Sequence, residues 1–541
     1  MFIKSQHTNH IMNVAEAMVR VLLKYGINKV FLVPGTDYPA FIEAFYKLGI
    51  NVITTPHETT AVSMAMGYSI YENLGVVAVH TVPGLVNALG NIISAKMSRI
   101  PLLVLAGKSP YTEKGNKASR DLKIHWSQDL NQSIIAEQAV KWQHEIRSKE
   151  NAVRAIERAI QIALSEPMGP TLVVIPREIT IENIEPTYSP IQPSTPYPSY
   201  RDLRKVKEII KKSYMPVIIT SRAGRKADAF LKLKQFADQN SIPVVGYARE
   251  FLNYPTDGVM ALDRIPKDAD LLLCIECDIP FVPKKGDIDA PLIIVDAEPN
   301  RMELEVFGFR NDITITSDTL SFVEALSDEN FYNEEREEEV TKLRKEEWRR
   351  KEERLNEAGN KSTIDPVYLS NLLSKTGAVI INEYDFNPAY AILNRPLQYI
   401  GNLFFGYLGY GAGIALASRM KNDLVICTLG DGTYHFNVPN SFHYVSSVYN
   451  LPILYVIYDN GSWFSTEEAI KEVLPESEAL ARGKTFTDIV RFELYKISEV
   501  FNGRGEMVEK TNELKGAIQR GLESIKSGKQ YVIHTIVEKK R

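Results

Sequence analysis

Cysteine is scarce in this chain, with three among 541 residues, which excludes a disulfide framework and fits a reducing compartment. An excess of positive charge is missing too: 63 Lys and Arg face 67 Asp and Glu, for a formal net charge of −4. Nucleic acid is therefore a poor partner. No uncharged apolar run reaches the roughly 18 residues of a membrane-spanning helix. The polar N-terminus, with His7 and His10, lacks the apolar core of a secretory leader. A cytoplasmic protein with no membrane partner is expected. What remains, 44% hydrophobic and 24% charged, is ordinary for a globular chain. Its length calls for about three domains rather than one core.

Short apolar runs alternating with helical patterns organise those domains. Lys29–Val33, Asn51–Thr54, Val76–His80, Leu102–Ala106 and Thr171–Ile175 come first, a rhythm that predicts a parallel sheet with helices on both faces. Pro186–Pro198 is proline-rich and can continue neither a helix nor a central strand. A second series follows at Pro216–Thr220, Pro243–Tyr247, Leu271–Ile275 and Leu292–Val295. Asn333–Ala358 is crowded with Glu, Lys and Arg, which predicts a solvated connecting helix with i,i+4 pairs. A third series opens at Ala378–Ile381. The expected class is α/β, with three doubly wound parallel-sheet domains at residues 12–185, 201–330 and 362–541. A proline-rich linker, 186–200, and a charged helical linker, 331–361, join them. The first and third domains are expected to be structural siblings, each with its ligand at the C-terminal strand edge. Cys274 and Cys277 form a C-x-x-C in a strand-like run, where residues three apart point to opposite faces. Two buried cysteines, not a chelate, are expected.

The chemistry lies where apolar runs stop. Leu424–Leu429 runs into Gly430-Asp431-Gly432, and Leu451–Tyr458 into Asp459-Asn460. Buried parallel strands would deliver both to one sheet edge. There the glycines let backbone N–H groups close on phosphate oxygens, while Asp431 and Asn460 offer hard ligands to Mg²⁺. In the first segment Glu58 follows Asn51–Thr54 and opens a helix of small residues, a position where a carboxylate suits the dipole.

These elements resemble the signatures of the thiamine diphosphate (ThDP) decarboxylase and carboligase superfamily. Gly430–Gly432 with Asp459-Asn460 is similar to its GDG…NN element, with Asp459 in place of the first Asn. Thr54–Tyr68 resembles its His-Glu helix, Thr81–Asn87 its SGPGxxN turn, and Phe31–Thr36 its opening FGxPG segment. The resemblance implies a pyrimidine-binding domain, a central Rossmann-like domain and a diphosphate-binding domain, in that order, with ThDP and Mg²⁺ as cofactors. It implies that Glu58 bonds to the aminopyrimidine ring, and that Asp431, Asn460 and the Ser462 carbonyl hold Mg²⁺. Gly430, Gly432 and Thr433, with Asn382 and Glu383, are implied at the cofactor. Gly406–Gly411 resembles the family's GS(M/L)GxG stretch, which implies Leu408 under a bent cofactor and the Gly406 carbonyl at its amino group; ordinary core packing is the other reading of Leu408. A homodimer or homotetramer is implied, with Glu58 and the GDG element of each active site drawn from different subunits.

His80 resembles the active-site histidine of benzoylformate decarboxylase, and Thr36 that enzyme's substrate-binding serine. The alternative for His80 is a polar strand-end residue bonded to the backbone. The departures are informative. No histidine lies between His144 and His435, and no His–His pair occurs. Asn382-Glu383 is followed by Tyr384 and Asp385, where the family often offers Ser or Thr; an acid there repels phosphate unless turned away. The missing histidines favour an acetolactate-synthase-like carboligase, which decarboxylates a 2-oxo acid such as pyruvate and transfers the acyl group to a second carbonyl. Simple decarboxylation with His80 as proton donor is the alternative, with Trp463 and Phe464 selecting an apolar side chain. A non-catalytic ThDP-binding homologue is a third reading, opposed by Glu58, Asp431 and Asn460. FAD is left open, because Thr220–Arg225 matches poorly the glycine-rich loop of the biosynthetic acetolactate synthases. A regulatory subunit is left unknown.

Overall fold

Runs of branched side chains become strands buried on both faces. Val425–Gly430 and Leu454–Asp459, for example, are buried at every position, as expected of strands inside a parallel sheet. The computed structural model describes residues 11–246, 249–286, 288–310 and 312–539. The N-terminal residues through His10 and Tyr247, the expected end of a central strand, lie outside them. The described residues divide into two compact units between Ser194 and Thr195, inside the proline-rich linker. Among them no helix is long and apolar enough to cross a membrane.

The first unit holds β1 (Lys29–Leu32), β2 (Asn51–Thr54), β3 (Gly75–Val79), β4 (Leu102–Lys108), β5 (Trp142–Glu145) and β6 (Thr171–Pro176). All pairings are parallel, in the order β2-β1-β3-β4-β6-β5. A short antiparallel pair, Met12–Asn13 with Asn183–Ile184, closes the unit's two ends together. The second unit carries two more six-stranded sheets. The central one comprises β7 (Pro216–Thr220), β8 (Val244–Gly246), β9 (Ala261–Leu262), β10 (Leu271–Ile275), β11 (Leu292–Asp296) and β12 (Ile313–Thr316), ordered β9-β8-β7-β10-β11-β12. The last comprises β13 (Val379–Glu383), β14 (Tyr399–Gly401), β15 (Val425–Gly430), β16 (Leu454–Asp459), β17 (Arg504–Val508) and β18 (Tyr531–Ile536), ordered β14-β13-β15-β16-β18-β17. First and last sheets thus share one strand order, as expected of siblings. Strand order reverses between β1 and β3, between β7 and β10, and between β13 and β15. Such points open crevices at the C-terminal strand edge.

Two local expectations are corrected. Strand β10 stops at Ile275, and Glu276 takes φ +44°. The chain therefore turns, and Cys274 Sγ lies 3.2 Å from the Cys277 carbonyl oxygen. The two thiols are neighbours, and their contact followed by burial pushes the Cys274 thiol well up. Both remain free and buried. The charged segment forms a helix, Glu334–Asn360, with surface pairs such as Arg349–Glu353 at 2.7 Å. It is not solvated throughout, because Arg336 is 1% exposed. Its guanidinium donates to the carbonyls of Ser241 at 2.9 Å, Asn240 at 2.6 Å and Tyr214 at 3.2 Å, riveting the helix to the central domain.

The central crevice is filled from within. Arg222, after β7, is completely buried and pairs with both carboxylate oxygens of Asp278, after β10, and with Glu250 at 2.9 Å. The N–H groups of Ser221 and Arg222 both donate to the Glu276 carbonyl, at 3.4 and 3.1 Å. Arg301 adds a 2.7 Å pair with Asp296. Removing one partner from a buried pair leaves the other charge uncompensated. Arg222→Ala is therefore expected to lower unfolding free energy by about 3–5 kcal/mol in urea denaturation followed by circular dichroism; a loss within experimental error would show that the cluster carries no stability.

Candidate active site

At the first sheet's C-terminal edge, the chain leaving β2 turns into helix α1 (Glu58–Glu72), with His57 as N-cap accepting from the Thr59 N–H at 3.1 Å. Small residues line this helix, so it is buried from Glu58 to Ser69. Glu58 therefore sits at the first helical position and is only 7% exposed. Its Oε2 accepts from Asn87 Nδ2 at 3.1 Å. Asn87 lies on helix α2 (Thr81–Met97), which corrects the expected turn at Pro83-Gly84 into the first turn of a helix. Gly84 leaves room there: a Cβ would stand 3.0 Å from Glu58 Oε1. Two separate sequence elements are thus brought into contact at one carboxylate.

Across the reversal point, β1 leads into Thr36-Asp37 and β3 into His80. Thr36 is exposed, and its carbonyl accepts from Arg177 at 3.3 Å. His80 is held by a residue that sequence reasoning missed. Its Nδ1 lies 2.5 Å from Asp37 Oδ1, and Asp37 is buried. This replaces the backbone partner envisaged for His80. The Asp37 hydrogen bond raises the His80 pKa, burial opposes it, and the charges of Asp37 and Glu58 add to the rise. The only sequence signal for Asp37 was its place directly after Thr36.

The third sheet's edge gathers the other predicted residues. Register pairs Gly430 with Tyr458, so Asp431 and the Asp459–Ser462 loop leave adjacent strands. The Gly461 N–H bridges them, 3.0 Å from Asp431 Oδ2 and 2.8 Å from Asp459 Oδ1. Asp431 opens helix α3 (Asp431–Phe436). Its Oδ1 accepts from the Gly432 N–H at 3.0 Å, and the Thr433 hydroxyl donates to the Gly430 carbonyl at 2.9 Å. Asn460 Oδ1 accepts from the Ser462 N–H at 2.9 Å, and the Ser462 hydroxyl donates to Glu467 at 3.2 Å. Burial raises the Asp431 pKa, and the charges of Asp459 and then Asp385 raise it further. Against burial, His534 at 2.8 Å and Arg491 at 3.1 Å hold Asp459 below the usual carboxylate range. Neither His534 nor Arg491 carried any sequence signal.

Asn382 and Glu383 stand beneath the Gly406–Gly411 loop. Both are fully buried. Glu383 accepts 2.6 Å bonds from the N–H groups of Gly409 and Gly411, and a 2.9 Å bond from Asn437. Burial pushes its pKa up to about 7, with these donors holding it down. Asn382 Nδ2 bonds to the Tyr399 hydroxyl at 3.1 Å and to Asn402 at 3.2 Å. The pair holds the Gly406–Gly411 loop, through the N–H groups of Gly409 and Gly411 and the Tyr410 hydroxyl. On that loop Gly406 is exposed and Leu408 half-buried, both open to a ligand. Asp385 is not turned away: a Cβ on Gly430 would meet its Oδ2 at 2.4 Å.

Comparison with known proteins gives the family and the fold. Residues 12–135 match the thiamine pyrophosphate enzyme N-terminal TPP binding domain, and residues 386–535 the C-terminal TPP binding domain. The chain is similar to a probable acetolactate synthase of Mycobacterium bovis, 25% identical across 95% of this chain and 94% of that protein. Its fold is similar to the crystal structure of benzoylformate decarboxylase from Polynucleobacter necessarius, with TM-score 0.80, 18% identity and coverage of 98% and 99%. A thiamine diphosphate-dependent 4-hydroxybenzoylformate decarboxylase of Rhodococcus jostii RHA1 superposes with TM-score 0.77, 19% identity and coverage of 97% and 99%. The chain belongs to the ThDP-dependent decarboxylase and carboligase superfamily, and is an enzyme of that type.

The residues present fit the cofactor's metal. Three carboxylates, Asp385, Asp431 and Asp459, converge on one edge, where Asp459 pairs with Arg491 and His534. Among the described residues no cluster of three or more His, Cys, Asp or Glu side chains is arranged to hold a metal. A set of one carboxylate, one amide oxygen and one carbonyl, completed by phosphate, is instead what Mg²⁺ accepts. In the central domain, the reversal point carries the Arg222, Asp278 and Glu250 pairs. Glu383→Ala would orphan three donors, each costing about 1–3 kcal/mol. We expect at least ~3 kcal/mol lower stability and faster hydrogen exchange at Gly409 and Gly411; unchanged protection there would remove Glu383 from the loop's support.

Proposed function

We propose that this chain is a ThDP- and Mg²⁺-dependent enzyme that decarboxylates a 2-oxo acid and transfers the acyl group to a second carbonyl, as an acetolactate synthase does. One observation carries the reading: Glu58, a buried carboxylate at a helix start, steadied by Asn87 and given clearance by Gly84. The bound cofactor would supply a nucleophilic carbon and an electron-accepting ring. Glu58 would share a proton with the pyrimidine nitrogen, and Asn87 would fix the carboxyl group's orientation. Asp431, Asn460 and the Ser462 carbonyl would hold Mg²⁺, with Gly430, Gly432 and Thr433 against the diphosphate. Leu408 would support the bend and the Gly406 carbonyl would accept from the amino group. His80 would act as general acid, giving its proton to the acceptor's carbonyl oxygen as the new C–C bond forms, with Thr36 beside the substrate. The M. bovis relative matched along almost its whole length supports this reading. The active form would be a cytoplasmic homodimer or homotetramer in which two copies of the chain complete each site.

The Asp37–His80 pair favours a second reading. A histidine that keeps its proton can also deliver it to carbon, releasing an aldehyde after CO₂, with Trp463 and Phe464 selecting the side chain. Product analysis separates the two: acetolactate from pyruvate supports carboligation, and free acetaldehyde supports simple decarboxylation. No turnover of any 2-oxo acid in a broad panel by the ThDP- and Mg²⁺-loaded protein would sink both. Glu58→Gln is expected to reduce kcat by about 10²-fold or more while equilibrium dialysis still finds cofactor bound; full activity would end the assignment of Glu58.

A further inference from the structure

The Asp37–His80 pair is a built site, and its construction exceeds what a strand-end contact needs. The Asp37 carboxylate is 5% exposed. One oxygen lies 2.5 Å from His80 Nδ1, and the other is 3.4 Å from the Thr81 N–H. Thr81 sits at φ +36°, a left-handed conformation costly for a β-branched residue. The Thr81 N–H is turned toward Asp37 there. Two residues without side chains make room for the pair. A Cβ on Gly107 would stand 1.4 Å from Asp37 Oδ2, and one on Gly35 would stand 2.2 Å from His80 Nδ1. The neighbouring Tyr38 hydroxyl clamps the two strands behind them, donating to the carbonyls of Val79 at 3.0 Å and Leu105 at 2.8 Å.

We propose that Asp37 is a positioning residue for His80: it binds Nδ1–H, fixes that tautomer, and leaves Nε2 as the nitrogen that exchanges protons with substrate. The proposal rests on the proton-donor role given to His80 above. A carboxylate on one imidazole nitrogen sets ring orientation and stabilises the imidazolium. No other base competes for Nδ1, since Asp37 occupies it. The titratable groups facing His80 are Asp37 on the loop after β1, Glu58 at the start of the helix after β2, and His125 on the short helix Ile124–Ser127. Both carboxylates favour the imidazolium. His125 opposes it only when charged, and burial and Arg177 hold its own pKa down. His80 therefore titrates above the ~6.5 of an unstructured histidine. The pair stabilises the fold fully below that pH, and this contribution fades as pH rises through the folded value.

The test is a ¹⁵N-histidine NMR titration of the full chain loaded with ThDP and Mg²⁺, with His80→Gln identifying the His80 signals among nine histidines. In the unmodified protein, above its pKa, His80 should carry its proton on Nδ1; an Nε2–H tautomer overturns the proposal without any Asp37 variant. Asp37→Asn should lower the His80 pKa by at least about one unit and move the basic limb of the kcat/KM profile down by the same amount. Asp37→Glu should recover part of that shift. An unmoved His80 titration in folded Asp37→Asn overturns the proposal. Full activity in His80→Gln would instead defeat the proton-donor reading and leave the pairing measurement standing.

Discussion

A parallel sheet covered on both faces leaves little room for polar groups inside it, and that constraint distributes much else in this protein. Strand interiors such as Val425–Leu429 and Leu454–Tyr458 are wholly buried and mostly apolar, with the Tyr455 hydroxyl buried without a hydrogen-bond partner among the described residues. Chemistry is forced to the C-terminal strand ends, where the backbone leaves the ladder and side chains project. Glu58, Asp37, His80, Asp431 and Asn460 all stand at such ends. The sibling sheets place theirs at the same reversal of strand order, which is where a crevice forms.

Buried charge serves two purposes here, and the partners distinguish them. Arg222, Arg336 and Glu383 are paired with protein groups: two carboxylates, four carbonyls and three N–H donors respectively. They lock the central crevice, the linker helix and the Gly406–Gly411 loop. Asp431 is different, because burial and neighbouring carboxylates raise its pKa and, among the described residues, no cationic side chain pairs with it. Its strand edge is where the proposed Mg²⁺ would sit. In the central sheet, whose strand order differs, the charges at the reversal point are instead paired with one another around Arg222.

Much of the fold was legible because its signals are local. Apolar runs broken by Gly, Asp and Asn mark strand ends, and small residues after Glu58 mark a helix that must pack closely. The Glu-, Lys- and Arg-rich stretch declared its helix, though not the inward turn of Arg336, since carbonyls 95 residues away in sequence receive it. The Cys274–Cys277 geometry was misjudged for a similar reason: the strand ended two residues before Cys277, at a positive φ no composition reveals. Asn382 and Glu383 were placed at the cofactor by their position in the chain, and their contacts run to the Gly406–Gly411 loop.

By itself the sequence determined the alternation of strand and helix, the three-sheet class and the residues that close each strand. Those properties depend on neighbours in the chain. Only the tertiary structure decided which strand ends meet. It set Asn87 against Glu58, Asp37 against His80, His534 and Arg491 against Asp459, and Arg222 against Asp278. Each of these pairings joins residues separated by a strand crossover or more, and its energy depends on burial and distance, which no run of adjacent letters encodes.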